Sequence, residues 1–218
     1  PTSTWDFHKV WEPLTSRFDV FAADMLGFGL TDKPIGYRYS LYEQADLQYE
    51  LLRRHDVSAF HLLCHDYGVT VGQEFLARFN SGEGPEILSV TFLNGGLFPE
   101  THRARAIQRL LASPLGPLVT RFSTEVRFRL SLRELFGPAT QPTDVELRQL
   151  YTLVERADGK RALADLIQYM EERKSNRERW VGAFVDTKVP MTVINGSLDP
   201  VSGAHMITRL LELRPATP

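Results

Sequence analysis

A single cysteine in 218 residues, Cys64, excludes an internal disulfide and suits a reducing compartment. No apolar run approaches the roughly 20 residues that a membrane-spanning helix needs. The opening residues also lack the basic and apolar regions of a secretory signal. A soluble protein, with the cytoplasm favoured as its compartment, is the expectation. Charge of one sign is scarce too: 25 Lys and Arg face 27 Asp and Glu, for a net charge of −2. That balance gives no electrostatic case for nucleic acid or for an anionic membrane surface. His, Cys and carboxylates nowhere cluster at metal-ligand spacing, so neither metal nor cofactor is expected. Repeats and low-complexity tracts are absent. What remains is an ordinary globular composition, 43% hydrophobic and 24% charged, long enough for one core and a lid.

The order of apolar runs predicts an α/β fold. A helical pattern carrying Trp5, His8, Val10 and Trp11 closes near Pro13, and Val20-Phe21-Ala22-Ala23 reads as a short buried strand before the glycine-rich loop Asp24 to Gly29. Ser40 and Glu43 form a capping box that opens a helix to about Arg54. Phe60 to Leu63 is the next strand, then a helix with Val71, Phe75, Leu76 and Phe79 facing inward, then a strand from Ile87 to Leu93. This alternation implies a mostly parallel sheet flanked by helices. From Phe98 to about Phe184 the pattern is helical only, punctuated by Pro114, Pro117, Pro138 and Pro142. Thr143 and Glu146 form a second capping box, and Leu163, Leu166, Ile167 and Met170 share one helical face. A helical insertion of this kind is expected to form a cap over the sheet's carboxyl edge, where open α/β folds bind ligands. The sheet resumes at Met191 to Asn195 and a last helix spans about Ala204 to Leu213. The implied division is 1–97 and 186–218 for the core and 98–185 for the cap.

Chemistry concentrates in Leu62-Leu63-Cys64-His65-Asp66-Tyr67-Gly68-Val69-Thr70-Val71-Gly72. A strand ends at a small residue, turns sharply and enters a helix, which is the outline of a nucleophile elbow. Its apex is Asp66. A carboxylate has an unperturbed pKa of about 4 and is already ionised at neutral pH. It is a weak nucleophile, matched to a strained or activated sp3 carbon such as an epoxide or alkyl halide, and attack gives an alkyl ester of Asp66. Water activated by a histidine would then attack that ester, with the Tyr67 backbone N–H placed to donate to the oxyanion. The competing reading makes Asp66 a helix cap. Asp199, in the turn after the last strand, stands where a triad acid orients a histidine; the competing reading is an Asx turn before Pro200.

The segments Pro1 to Trp5, Asp24 to Pro34 and His65-Asp66-Tyr67-Gly68 together resemble the α/β-hydrolases of the epoxide hydrolase and haloalkane dehalogenase group. Tyr39-Ser40 with Glu43-Gln44-Ala45, Asn94 to Arg103, Gln168-Tyr169, Arg179 to Ala183 and Leu198 to Val201 are similar, more narrowly, to the mesoderm-specific transcript family. The resemblance implies Asp66 as nucleophile, Asp199 as triad acid, Tyr67 in the oxyanion hole and Tyr169 as a proton donor to an opening epoxide. Tyr151 is a poorer match to the group's other donor tyrosine, and packing explains it better. Tyr67 stands where dehalogenases usually carry tryptophan, which favours epoxide opening over dehalogenation. The family's histidine base lies beyond one further helix and strand, whereas this chain ends nineteen residues after Asp199, and its first strands would precede Pro1. The centre of a hydrolase with both ends missing, which as written should not complete hydrolysis, is therefore expected. His205 falls in a helix and is rejected as the base. His8, His55, His61 and His102 call for no chemistry, His65 supports the elbow, and the basic run Arg173 to Arg179 reads as a solvated helix face. The function implied is an epoxide hydrolase-like enzyme acting on a small lipophilic substrate with water. Alternatives are a dehalogenase, or a catalytically silent relative that binds a ligand through its cap, with membrane association as a family possibility.

Overall fold

The computed structural model describes residues 2–215. Three strands form a parallel sheet in the order β1 (Ala59–His65), β2 (Glu86–Leu93) and β3 (Met191–Ile194). Pairing runs Cys64 with Phe92 and His65 with Leu93 on one side of β2, and Val90 with Met191 through Leu93 with Ile194 on the other. The helices, in chain order, are α1 (His8–Thr15), α2 (Leu41–Arg54), α3 (Tyr67–Asn80), α4 (Ala106–Leu111), α5 (Gly116–Arg121), α6 (Glu125–Arg133), α7 (Asp144–Glu155), α8 (Leu163–Leu166), α9 (Tyr169–Ser175), α10 (Arg177–Asp186) and α11 (Ala204–Leu213). No helix among the described residues is long and apolar enough to cross a membrane.

The chain gathers into two compact units whose boundaries run differently from the segments expected above. One joins residues 1–39 to 107–167, and the other joins 40–106 to 168–218. The first is helical around the glycine-rich loop. Lys33 is 6% exposed there, and its ammonium donates to the carbonyls of Gly29, Leu153 and Arg156, filling its three N–H directions. Burial, with the Arg156 charge next, lowers its pKa. Thr143 and Glu146 close the expected capping box on α7. Three expectations fail in this unit. Val20 to Ala23 is not a strand, because no ladder reaches it, and Phe21 is exposed. α1 continues through Pro13 to Thr15. The face expected from Leu163 to Met170 is broken, since α8 stops at Leu166 and α9 begins afresh at Tyr169. Upstream, Ala157 and Asp158 both sit at φ 56°, which no helix accommodates.

The second unit holds the sheet. Ser40 caps α2 by accepting from the Tyr42 N–H, one residue short of Glu43, and its hydroxyl donates to Glu172. Against the sheet, Phe92 meets Phe184 at 5.7 Å and Phe98 meets Phe184 edge-on at 5.8 Å, geometries that suit the ring quadrupoles. α3 lies directly on β1. A side chain at Gly72 would run into the Cys64 sulfur and the Phe92 ring, so glycine there sets how closely strand and helix approach. Cys64 is buried, and burial pushes its thiol pKa far up, which leaves it a packing residue.

α3 and α10 are joined by a buried charge network. Glu74, 1% exposed, accepts from Arg78 Nε at 2.8 Å, Arg179 Nε at 2.7 Å and Trp180 Nε1 at 2.8 Å. Burial works to raise its pKa, but these donors outweigh it and hold the carboxyl below its ordinary value. Replacing Glu74 with Gln leaves two guanidinium groups facing a neutral amide. Breaking a buried pair this way costs about 3 kcal/mol, or roughly 6–12 °C in Tm for a chain of this size. Thermal denaturation of Glu74→Gln is expected to show that loss; a change under about 1 kcal/mol would mean the network adds little.

Candidate active site

The turn from β1 into α3 is built around one residue. Asp66 has φ 48° and ψ −112°, a conformation that an L residue adopts only when its surroundings enforce it. The enforcement is visible. The Asp66 N–H donates to Leu93 O at 3.2 Å, and its carbonyl accepts from the Val69 N–H at 3.0 Å. A side chain at Gly95 would strike Val69 and approach the Asp66 carbonyl at 2.9 Å, so the β2 loop touches this turn backbone to backbone. Asp66 occupies the N-cap position, yet its carboxylate makes no capping bond to α3. The residue is exposed at the positive end of the helix dipole, which favours negative charge.

Tyr67, the first residue of α3, has its backbone N–H at that same end. Its phenol is buried, and burial raises its pKa strongly. The Tyr169 ring meets the Tyr67 ring edge-on at 5.1 Å. Burial, and then the Asp66 charge, push the Tyr169 hydroxyl up to about 12, while Arg173 pulls the other way. Tyr169 is thus the first residue of α9 rather than a mid-helix residue, and it lies within reach of the Asp66 field. Asp199 accepts through Oδ1 from the N–H groups of Val201 (2.7 Å) and Ser202 (3.1 Å). Its Oδ2 accepts from Ser202 Oγ (3.2 Å) and Asn94 Nδ2 (3.1 Å). The Asx turn is therefore present, and Asn94, at the end of β2, ties it to the neighbouring loop. Tyr151 belongs to the other unit, where its hydroxyl donates to Glu155. Among the described residues, no three His, Cys, Asp or Glu side chains gather to hold a metal ion.

Residues 1–217 match the profile of the alpha/beta hydrolase fold. The chain belongs to that family. Over 209 residues it is 42% identical to the mesoderm-specific transcript protein of Mus musculus, covering 93% of this chain and 62% of the mouse protein. The chain thus spans under two thirds of the length of that relative. Among solved structures, an alpha/beta hydrolase fold protein from Burkholderia ambifaria aligns with a TM-score of 0.77 at 18% identity, over 97% of this chain and 75% of the other. The haloalkane dehalogenase DatA from Agrobacterium tumefaciens C58 aligns at 0.76 and 19%, over 96% and 73%. At such identities the likeness is one of fold.

Two residues of this α/β-hydrolase were read from sequence as without chemistry, and the structure places both at the site. Arg173 is not on a solvated face: it is 3% exposed and donates to the Gly96 carbonyl. His102 has both ring nitrogens buried without a partner. Burial, then the Arg173 charge, hold its pKa down at about 4, against the influence of Asp66 and Asp199, so the imidazole is neutral at pH 7. The run Arg173 to Arg179 carries no signal for Arg173, but one for His102 was present in Asn94 to Arg103, a stretch too specific in pattern to be an ordinary loop. A clamp fixes that stretch. Glu100 takes a bidentate bond from Arg177 (2.5 and 3.0 Å) and a weaker one from Arg209 (3.3 Å), while the Arg103 N–H donates to Val201 O at 3.2 Å, beside Asp199.

Arg177, chiefly, lowers the Glu100 carboxyl from 4.5 to about 2. A carboxyl depressed on folding stabilises the protein fully above its unfolded pKa and loses that contribution as pH falls toward the folded value. The Tm gap between wild type and Glu100→Gln is therefore expected to be widest near pH 7 and to shrink from about pH 4.5 down toward 2. A gap constant across that range would show that the clamp is not electrostatic.

Proposed function

We propose that this α/β-hydrolase opens an epoxide on a lipophilic small molecule, with Asp66 as covalent nucleophile. The observation that carries the reading is the Asp66 turn: a strained apex, a carboxylate not used to cap its helix, and an exposed position at the helix's positive end. In this reading the turn is a nucleophile elbow. One Asp66 oxygen attacks a ring carbon and forms the ester C–O bond; the ring C–O bond breaks, and its electron pair passes to the ring oxygen. That oxygen takes the proton of the Tyr169 hydroxyl. The guanidinium of Arg173, bonded to that hydroxyl, favours the phenolate left behind. In the second half, a histidine base would take a proton from water as it adds to the ester carbonyl, the Tyr67 N–H donates to the oxyanion, and collapse breaks the acyl C–O bond; the departing oxygen takes the proton back from the histidine to give the diol, and solvent reprotonates the Tyr169 phenolate. Asp199, held by four donors, is suited to orient a histidine base. Dehalogenation fits less well. A halide needs a side-chain donor beside Asp66, and the residue that follows Asp66 is a tyrosine buried against the Tyr169 ring rather than the tryptophan usual in dehalogenases.

Incubation with a reactive aryl epoxide tests the nucleophile. Mass spectrometry is expected to find the adduct on the Asp66 peptide of the wild type and not of Asp66→Asn. An unmodified peptide in folded protein that binds the epoxide would overturn the assignment and leave a ligand-binding family member. Tyr169→Phe is expected to slow alkylation by about 10²-fold; an unchanged rate would make Tyr169 a packing aromatic.

A further inference from the structure

Arg173 is a buried cation without a counter-ion. Among the described residues no carboxylate lies within ion-pair distance of its guanidinium. Its bonds go to the Gly96 carbonyl and the Tyr169 hydroxyl, with the guanidinium carbon 6.0 Å from the Tyr169 ring centre. Two acceptors serve a group that carries five N–H donors. Isolation of a charge in a protein interior is strongly unfavourable unless something compensates it. Two carboxylates act on Arg173 from further away, Asp66 and Glu100. Glu100 is already held by Arg177 and Arg209, and Asp66 is the attacking group.

His102 lies on the same side. It follows the short turn Pro99–Thr101, against which α9 packs, and its two ring nitrogens have no partner. A neutral imidazole still offers one N–H donor in either tautomer. A guanidinium from α9 and an unpartnered imidazole from the β2 loop thus both lie within the electrostatic reach of Asp66. A purely internal role for Arg173, steadying Tyr169, accounts for one of its bonds but not for the missing counter-ion or for the idle His102 ring.

We propose that Arg173, with His102 beside it, binds a carboxylate of the substrate, so that the molecule Asp66 attacks is a short epoxy acid whose carboxylate lies within a few bonds of the ring. This rests on Asp66 acting as the nucleophile. The electrostatics are consistent: an anion approaching the Asp66 carboxylate is repelled unless a cation sits at the same place, and a desolvated guanidinium matches a carboxylate's two oxygens. Neutral epoxides gain nothing from it.

Two probes of equal shape decide the matter, 3-phenylglycidate and its methyl ester, with alkylation of the Asp66 peptide followed by mass spectrometry. The acid is expected to label wild type roughly tenfold faster or more than the ester. Arg173→Met should bring the acid-to-ester ratio toward one, and Arg173→Lys should keep part of it. An ester that reacts as fast as the acid in wild type overturns the proposal while leaving the nucleophile in place. If neither probe labels Asp66, the nucleophile reading has failed. Calorimetry with phenylacetate and phenylacetamide then judges the anion site alone: carboxylate binding at least about tenfold tighter than amide supports it, and equal or absent binding removes it. Should Arg173→Met not fold, the wild-type comparisons stand by themselves.

Discussion

A non-glycine residue held at φ 48° between a strand and a helix is the constraint on which the second unit depends. Such a conformation costs about 1–3 kcal/mol and persists only where its neighbours over-determine it. The neighbours here are backbone. Leu93 receives the Asp66 N–H, Val69 donates to its carbonyl, and Gly95 admits the β2 loop at contact distance. Gly72, one turn into α3, brings that helix onto Cys64 and Phe92. None of these contacts survives a shift of β2 along β1, so the parallel register and the turn support each other.

Buried charge gives the unit its second layer of order. Glu74 fastens α3 to α10 with three donors, and Glu100 fastens the β2 loop to α10 and α11 with two arginines. Both carboxylates are compensated inside the structure. Arg173, as buried as Glu74, is the contrast. Its neighbours are a carbonyl, a phenol and an unpartnered imidazole. The arginines that pair with Glu74 and Glu100, namely Arg78, Arg177, Arg179 and Arg209, all keep part of their side chains in solvent, so the arginine that is buried is the one with no carboxylate beside it.

Much of the fold was legible because its signals are local. The three strands differ from the expected runs by one or two residues at their ends, the Thr143 capping box closes, and the Cys64-His65-Asp66-Tyr67-Gly68 pattern forms the sharp turn its small residues imply. Signals that depend on distant packing were not legible. Val20 to Ala23 has strand composition, but a strand exists only when another lends it a ladder. Leu163 to Met170 keeps helical spacing across the break between Leu166 and Tyr169, and upstream neither Ala157 nor Asp158 advertises its left-handed backbone. Arg173 was misread for the same reason. In the run Arg173 to Arg179 every basic residue looks alike, and which of them faces inward is decided by the Gly96 loop, 77 positions away.

The same distinction separates the two aspartates at the heart of the site. Asp199 spends both oxygens on four donors from its own turn and from Asn94, so its carboxylate is fixed in direction and its lone pairs are occupied. It can orient a neighbour but is poorly placed to attack carbon. Asp66 is presented on a strained turn whose bonds are made by its backbone, leaving the carboxylate outside the helix cap and facing solvent. On the reading proposed above, two groups of identical chemistry are thereby divided by environment, one to hold and one to attack. What the sequence did not carry is how Asp199 is held: three of its four donors come from its own Asx turn.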